Sequence, residues 1–373
     1  MSDLPTLRKK IDSLDTTLVN LLNERARVSL DIGTTKRLDE EAKNGEKAAE
    51  DLHVYMPGRE KQIYEKLERM NHGPLKHESL NAIFREIMSA SIALQKDVSV
   101  AYLGPPGTFS HQAVYRRFGD SVVYVPQKQI TDVFEAVEKG RATYGIVPYE
   151  NSTFGSVVET LDYFIKSTVK VRAETYLTVH QCLLSNSPLD KISKVYSHPQ
   201  GLGQSQEWLS AHLPEARRIA VKSTAQAAEM AALETGAAAI CSEICSELYG
   251  LDIVARDIEH GVANTTRFLI IGSSSDDQAT GNDHSLLRFT VDHRQPGALC
   301  DGLKVFKDYG LNLFKIDSRP SGLRPWHYVF FIECSGHASG DKLPSVVKDL
   351  NQYCLDVEIL GSFPNERTAS ETC

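Results

Sequence analysis

The chain has 373 residues, 41% of them hydrophobic, and a formal net charge of −8. That length predicts two or three globular domains, and the negative charge gives no long-range attraction for nucleic acid or an anionic membrane. No apolar run is long enough to span a bilayer, and the start, Met1-Ser-Asp-Leu-Pro5, lacks the basic and apolar segments of a secretory signal, so a cytoplasmic protein is expected. The seven cysteines are scattered without Cys-x-x-Cys spacing. Cys241 and Cys245, one helical turn apart, are read as packing residues, and neither a metal nor a cofactor is expected.

Leu4, Leu7, Ile11, Leu14, Leu18, Leu21, Val28 and Ile32 recur at steps of three and four. They predict one long amphipathic helix from about Leu4 to Lys36, long enough to suggest an intertwined partner helix. Residues 38–54 are charged and read as a mobile loop or weak helix. Helices follow at Arg59 to Met70, stopped by Asn71-His-Gly-Pro74, and at Leu80 to Gln95. This all-α unit is placed at residues 1–96.

From Val98 the period changes. Short β-rich runs (98–103, 122–125, 144–147) alternate with helical stretches, and a second series runs through 175–184, 194–197, 218–221, 237–240 and 253–255. The alternation predicts parallel sheets flanked by helices, an α/β unit placed at 97–275. Residues 272–283, rich in Ser, Asp and Gly, read as a linker to a separable module at 284–373. That module has the order β, helix, β, β, helix, β, which is ferredoxin-like.

Within the α/β unit the most informative stretch is Val147-Pro-Tyr-Glu-Asn-Ser-Thr-Phe-Gly-Ser156. An apolar strand feeds Glu150, Asn151, Ser152 and Thr153, and Gly155 permits close backbone approach. A strand end followed by a helix N-cap would give the same residues. Three further polar clusters adjoin strands: Val100-Ala-Tyr-Leu-Gly-Pro-Pro-Gly-Thr-Phe109, with Thr108 and Ser110 placed to cap a helix; Val195-Tyr-Ser-His-Pro-Gln200, followed by Gln204; and Asn264-Thr-Thr-Arg-Phe268. In this order the four resemble the prephenate dehydratase family, and the resemblance implies two α/β lobes around a cleft, as in type 2 periplasmic binding proteins. It assigns Thr266 as the hydroxyl that donates to the leaving oxygen of prephenate. It also assigns Glu150, Asn151, Ser152, Thr153, Ser197, His198, Gln204 and Arg267 to the substrate cleft. His198 is the one member with a side chain that ordinarily titrates near neutrality, although a structural histidine fits as well, and Arg267 fits a carboxylate or a surface salt bridge.

In the helical unit Arg25 falls on the apolar stripe, where a charge is costly unless it meets an anion. A salt bridge to Glu60 or Glu86 would serve, but Arg8, Lys36 and Arg59 recur on the same small unit and suggest a polyanionic small molecule. The pattern Leu7-Arg-x-x-Ile11-Asp-x-Leu14-Asp15, with Arg25, Lys36, Arg59-Glu60 and Ser91-x-x-x-Gln95, resembles the all-helical chorismate mutases. The resemblance implies an intertwined dimer in which Arg8 of one subunit joins Arg25 and Arg59 of the other on the two carboxylates of chorismate. Lys36 and Gln95 then donate to the ether oxygen, Glu60 accepts from the ring hydroxyl and Ser91 lines the site. The family's occasional acidic residue before the Arg-Glu pair is Met56 here.

In the C-terminal module Pro296-Gly-Ala-Leu299 opens a helix whose free N–H groups suit a carboxylate, and Asp317-Ser-Arg-Pro320 ends a strand. Both resemble the effector motifs of ACT domains that sense L-phenylalanine, which implies effector contacts at Gly297, Ala298, Leu299, Asp317, Ser318, Arg319 and Pro320. Together the resemblances imply a bifunctional chorismate mutase/prephenate dehydratase of phenylalanine biosynthesis, at least a homodimer, inhibited by L-phenylalanine. Two other readings stay open: a dehydratase with an inactive mutase, and a non-catalytic amino-acid sensor.

Overall fold

A computed structural model of the chain describes residues 3–45, 52–261, 264–275 and 278–367. It divides into two compact units, one formed by residues 1–99 with 118–123 and the other by 100–117 with 124–373.

The first unit is built on three helices: α1 (Leu4–Asn44), α2 (Pro57–Met70) and α3 (His77–Gln95). Asp3 caps α1 by accepting from the Thr6 N–H at 3.3 Å, and Pro5 occupies the first turn, where its missing donor costs nothing. The helix runs eight residues beyond the predicted end. Residues 37–44 contain no breaker, and the helix stops only at Gly45, whose φ of +86° suits a residue without Cβ. The predicted loop at 38–54 is therefore helical to Asn44. Residues 46–51 of it lie outside the described residues, and Leu52, Val54 and Tyr55 are buried. Gly33 meets α3 closely: a Cβ there would stand 3.0 Å from Gln95 Cγ.

The second unit holds three sheets. The first has the order β2 (Val123–Gln127), β1 (Ser99–Leu103), β3 (Tyr144–Asn151), β11 (Thr265–Gly272), β5 (Lys170–Thr178), with the short β4 (Gly155–Ser156) on β3. The second has the order β10 (Asp252–Ala255), β6 (Cys182–Ser185), β9 (Ala237–Cys241), β7 (Lys194–Ser197), β8 (Arg217–Ala220). Neither is purely parallel as expected. β1 and β3 run parallel, as do β9, β7 and β8, but β11 is antiparallel to both β3 and β5, and β6 to β9. The reason is connectivity: β11 returns from the second lobe and inserts between strands of the first in the opposite sense. The helices α4 (Phe109–Phe118), α5 (Ile130–Glu138), α6 (Val158–Phe164), α7 (Pro199–Gln204), α8 (Gln206–His212), α9 (Thr224–Ala232) and α10 (Cys245–Tyr249) connect these strands.

The third sheet is antiparallel, in the order β13 (Leu313–Pro320), β14 (Tyr328–Ser335), β12 (Asp283–Val291), β15 (Cys354–Pro364), and carries α11 (Ala298–Asp308) and α12 (Leu343–Leu350). One face packs these helices through Leu287, Phe289, Ile332 and Val346. The other face buries Leu286, Phe331, Leu360 and Phe363 in the same apolar cluster as Val147, Val171, Leu269 and Ile271 of the first sheet. At Gly361 a Cβ would stand 2.0 Å from the Val171 carbonyl oxygen, so the two sheets meet backbone to backbone. The module read as separable thus shares one buried core with the first sheet, and the linker joins chain segments of that core. Residues 276–277 of that linker lie outside the described residues.

Each fully buried apolar side chain contributes roughly 1.5–3 kcal/mol, and a whole domain is stable by roughly 5–15 kcal/mol. Removing residues 284–373 takes away Leu286, Phe331, Leu360 and Phe363 together, a loss comparable to that total. The truncated chain is expected to lose its near-ultraviolet circular dichroism and its dehydratase activity. A truncated protein that melts cooperatively and turns over prephenate would contradict the shared core.

Candidate active sites

In the helical unit the packing of α1 on α3 brings Arg25, Ser91 and Gln95 together. Arg25 Nη1 donates to Ser91 Oγ, which itself donates to the Ile87 carbonyl at 2.7 Å. Burial lowers the guanidinium's proton affinity, the signature of a cation held partly out of water. Gln95 Nε2 donates to the Ser91 carbonyl at 3.1 Å, while its Oε1 is buried without a partner. Lys36 lies half-buried on α1, and Glu60 is half-buried in the first turn of α2. Arg59 beside it is exposed and donates to Gln62 Oε1 at 3.2 Å. Arg8 is exposed seventeen residues before Arg25, about 25 Å away at 1.5 Å per residue. One chain cannot bring both arginines to the same small molecule.

The second unit contains a cleft of about 560 Å³. Its first side is set by the β3–β11 pairing, which places Asn151 opposite Thr266 and Glu150 opposite Arg267. The register shifts immediately after Arg267, a bulge of the kind that re-aims side chains beside sites. Asn151 Oδ1 accepts from the Thr153 and Phe154 N–H groups at 3.0 Å each, which fixes its amide. Its Nδ2 therefore donates twice, to Thr266 Oγ1 at 2.9 Å and to Asn264 Oδ1 at 2.6 Å. With its oxygen accepting from Asn151, the Thr266 hydroxyl has its own proton left to give. A hydroxyl that accepts one hydrogen bond donates the next more strongly.

Across the cleft stand His198, Gln200 and Gln204. His198 Nδ1 accepts from the Gln200 N–H at 3.3 Å and caps α7, so the neutral ring carries its proton on Nε2. Gln204 Oε1 accepts from Gln181 Nε2 at 3.0 Å, and Gln181 Oε1 is buried without a partner.

The remaining residues of the expected set do not line this cleft. Ser197 is fully buried and donates to the Ile240 carbonyl at 2.7 Å. Ser152 Oγ accepts from the Thr265 N–H at 2.9 Å, closing the strand end, and Thr153 is exposed. Gly155 has nothing within 4 Å of a Cβ; its φ of +77°, not close approach, is what requires glycine.

Glu150 and Arg267 are the chief corrections. Successive side chains of a strand point to opposite faces, so if Asn151 and Thr266 face the cleft, their neighbours face the third sheet. Arg267 is 2% exposed. Its Nε donates to Glu174 at 2.7 Å and its Nη1 and Nη2 to Glu333 at 2.8 and 2.9 Å. His284 Nδ1 stands 3.2 Å from Glu333. Glu150 accepts from Lys315 Nζ at 2.7 Å. Neither has a free charge for a substrate.

The effector motif divides in the same way. Along β13, Lys315, Asp317 and Arg319 are half-buried and Ile316, Ser318 and Pro320 exposed. Asp317 accepts from Ser156 Oγ at 2.8 Å and Arg319 donates to Asp162 at 2.6 and 3.0 Å, so both face the dehydratase lobe. Gly297, at φ +85°, precedes α11 without a side-chain cap, and Ala298 and Leu299 form the helix's first turn.

Lys222 and Ser223 also line the cleft, and sequence reading passed over them. Lys222 is the cleft's one Lys or Arg among the described residues, next to the N-cap Ser223 of α9. The signal was present in the strand 218–221 running into Lys222-Ser-Thr224, but it is shorter than the four motifs read as a set.

Comparisons with known proteins identify the family. A family model of prephenate dehydratase matches residues 100–276, and one of chorismate mutase type II matches residues 7–96. Among solved structures, a prephenate dehydratase from Arthrobacter aurescens in complex with L-Phe is 30% identical, with a TM-score of 0.65 over 72% of this chain and 90% of that one. A quorum-quenching acylase, GqqA, superposes with the same TM-score at 26% identity over 72% of this chain and 98% of that one, so the fold alone does not fix the chemistry. The bifunctional chorismate mutase/prephenate dehydratase of Aquifex aeolicus is 41% identical over 98% of both chains. The chain belongs to the bifunctional chorismate mutase/prephenate dehydratase family.

The buried cluster has a pH signature. Burial by itself raises the Glu333 carboxyl, but the Arg267 charge and the close approach of His284 outweigh it and hold the group down at about 2. An unfolded glutamate titrates at about 4.3. Between these values the unfolded chain binds more protons, so stability rises with pH. The contribution is complete above the unfolded value and is lost as pH falls towards 2. Glu333→Gln is expected to reduce the slope of stability against pH in that window, measured by chemical denaturation at a series of pH values. An unchanged slope would mean that the carboxylate is not held this way.

Proposed function

We propose that the two units carry out consecutive reactions, chorismate to prephenate and prephenate to phenylpyruvate, and that L-phenylalanine acts on the second through the C-terminal sheet. The observation that carries the dehydratase reading is the double donation of Asn151 to Thr266 and Asn264, which leaves the Thr266 proton directed to a substrate. When prephenate loses carbon dioxide, the electrons of the breaking C–C bond move into the ring and expel the ring hydroxyl. Aromatisation supplies the driving force. A donor on the departing oxygen stabilises the charge that develops there. Lys222, the one Lys or Arg lining the cleft among the described residues, is suited to a carboxylate of the dianionic substrate.

For the mutase, Arg25 with Ser91 and Gln95 forms the core of the chain's own half of the site, and in this reading Lys36, Arg59 and Glu60 complete it. The rearrangement is unimolecular, so holding the reactive conformer and stabilising the ether oxygen suffice. Arg8 enters from a second copy. The stripe Leu4, Leu7, Ile11, Leu14, Leu18, Leu21, Val28 and Ile32 is 44–59% exposed in the single chain, an apolar surface suited to a second copy of α1 in a homodimer. Met56 is the N-cap of α2 and has no side-chain capping bond, so a carboxylate there is not needed to form the helix.

The third sheet has the βαββαβ order of a ferredoxin-like ACT module. Gly297, Ala298, Leu299 and the outward Ser318 are its effector-binding residues in this reading. Asp317 and Arg319 act on the dehydratase side. Among the described residues no helix is long and apolar enough to cross a membrane.

Thr266→Ala is expected to lower dehydratase turnover by about 10²–10³, the usual cost of one transition-state hydrogen bond. Chorismate would still be consumed and prephenate would accumulate, followed by ultraviolet absorbance. Normal phenylpyruvate formation would remove Thr266 from the mechanism.

Arg25→Ala is expected to do the converse, cutting chorismate consumption by orders of magnitude while added prephenate is still converted. A variant that consumes chorismate at the wild-type rate would show that the helical unit binds its substrate elsewhere.

A further inference from the structure

Thr266 and Asn151 are held by a strand pair whose opposite face carries two charges, and both charges are matched from the C-terminal sheet. Arg267, next to Thr266, is clamped in two-point fashion by Glu333 of β14. Glu150, next to Asn151, accepts from Lys315 of β13, whose ammonium also donates to Ser156 Oγ at 2.8 Å. Ser156 in turn donates to Asp317 at 2.8 Å and pairs across the strands with Glu150. Lys315 and Glu333 are themselves cross-strand partners on β13 and β14. Arg267 Nη1 also stands 3.7 Å from Glu150, so ion pairs run from Lys315 of β13 through Glu150 and Arg267, on the two strands that carry Asn151 and Thr266, to Glu333 of β14.

We infer that Lys315 and Glu333 are positioning residues for dehydration, acting through Glu150 and Arg267 on Asn151 and Thr266, and that β13 transmits the effector's state along this route. The inference rests on the reading of Thr266 as the donor to the leaving oxygen. The physics is geometric. A planar guanidinium held at two points by Glu333 and at a third by Glu174 cannot rotate without breaking several charge-assisted bonds. Its backbone is fixed with it, and with it the adjacent Thr266. The bulge after Arg267 makes this the place where the strand's direction is least fixed by its ladder alone. On β13 the alternation puts Lys315, Asp317 and Arg319 on the dehydratase side and Ser318 on the outer side, so a ligand touching the outer side shifts a strand whose inner side holds Glu150 and Ser156.

The test is a double-mutant cycle on the full chain with Lys315→Met and Glu150→Gln, assayed with prephenate. Each single change is expected to lower kcat at least about tenfold, the scale of a small misplacement of a reacting group. KM should stay within about twofold, because neither residue touches substrate. The double variant should be no slower than the worse single one, since both break one interaction. Lys315→Arg should restore most of the rate. Chorismate consumption, carried by the other unit, should be unchanged throughout, and an unchanged near-ultraviolet circular dichroism spectrum reports that the second unit is folded. If Lys315→Met does not fold, Glu150→Gln on the more exposed partner gives the same kcat-against-KM comparison. Wild-type kcat in both singles, multiplicative losses in the double, or a change confined to KM would overturn the positioning role. The transmission is read separately. Lys315→Met should bind phenylalanine, by calorimetry, as the wild type does, and its residual dehydratase activity should no longer respond. A response equal to the wild type's would overturn transmission through Lys315. Failure of the Thr266 reading shows itself elsewhere, as normal turnover in Thr266→Ala.

Discussion

The arrangement depends on the simplest property of a β-strand, that neighbouring side chains face opposite ways. At Thr266–Arg267 and again at Asn151–Glu150, one residue faces the cleft and the next faces another sheet. In the proposed reading Thr266 must donate at a fixed point and needs a rigid backbone, and the neighbouring Arg267 is held from the far side. Arg267, Glu174, Glu333 and His284 are all at most 2% exposed. A buried ionic cluster of this kind adds little net stability compared with an apolar replacement, but breaking one partner is severe because it strands the rest. What it provides is definition of geometry.

Much of this was legible in the sequence, and the boundary of legibility has a physical form. The helix of α1 and the element order of the third sheet follow from periodicity, and the grouping of Asn151, Thr266, His198 and Gln204 follows from the resemblance carried by the motifs at strand ends; Asn264 stands in one of those motifs with no role assigned to it. Contacts made across sheets could not be read. Arg267 reads as a substrate cation because its strand neighbour is a site residue and nothing local names its partners, Glu174 and Glu333, which lie 93 and 66 residues away. The linker at 272–283 misleads for the same reason: composition marks where the chain is polar, not where the core divides. Lys222 was missed because a lone lysine before a helix cap is too short a signal.

The helical unit is legible for a different reason. Its stripe, its cationic positions and its cap are all local, and α1 differs from expectation only in length, since no residue before Gly45 stops it. Arg8 and Arg25 are separated along one rigid rod, so the proposed site can include both only if Arg8 comes from a second copy: the helix is too long to fold its own first arginine back. The proposed mutase site would exist only in the associated state, whereas the residues that line the cleft of the second unit all come from one chain.

The close meeting of Gly361 with Val171 and of Arg267 with Glu333 bears on how such a chain can change over time. A regulatory module joined through a flexible tether can be exchanged by recombination at the tether, and each half keeps its history. Here a cut at residues 272–283 would separate an arginine from its carboxylate and a glycine from the carbonyl that admits no side chain. In the proposed reading, sensor and catalyst must therefore drift together, residue matched to residue, and a graft of another effector specificity would have to be made on the outer face of β13 and α11 rather than at the join.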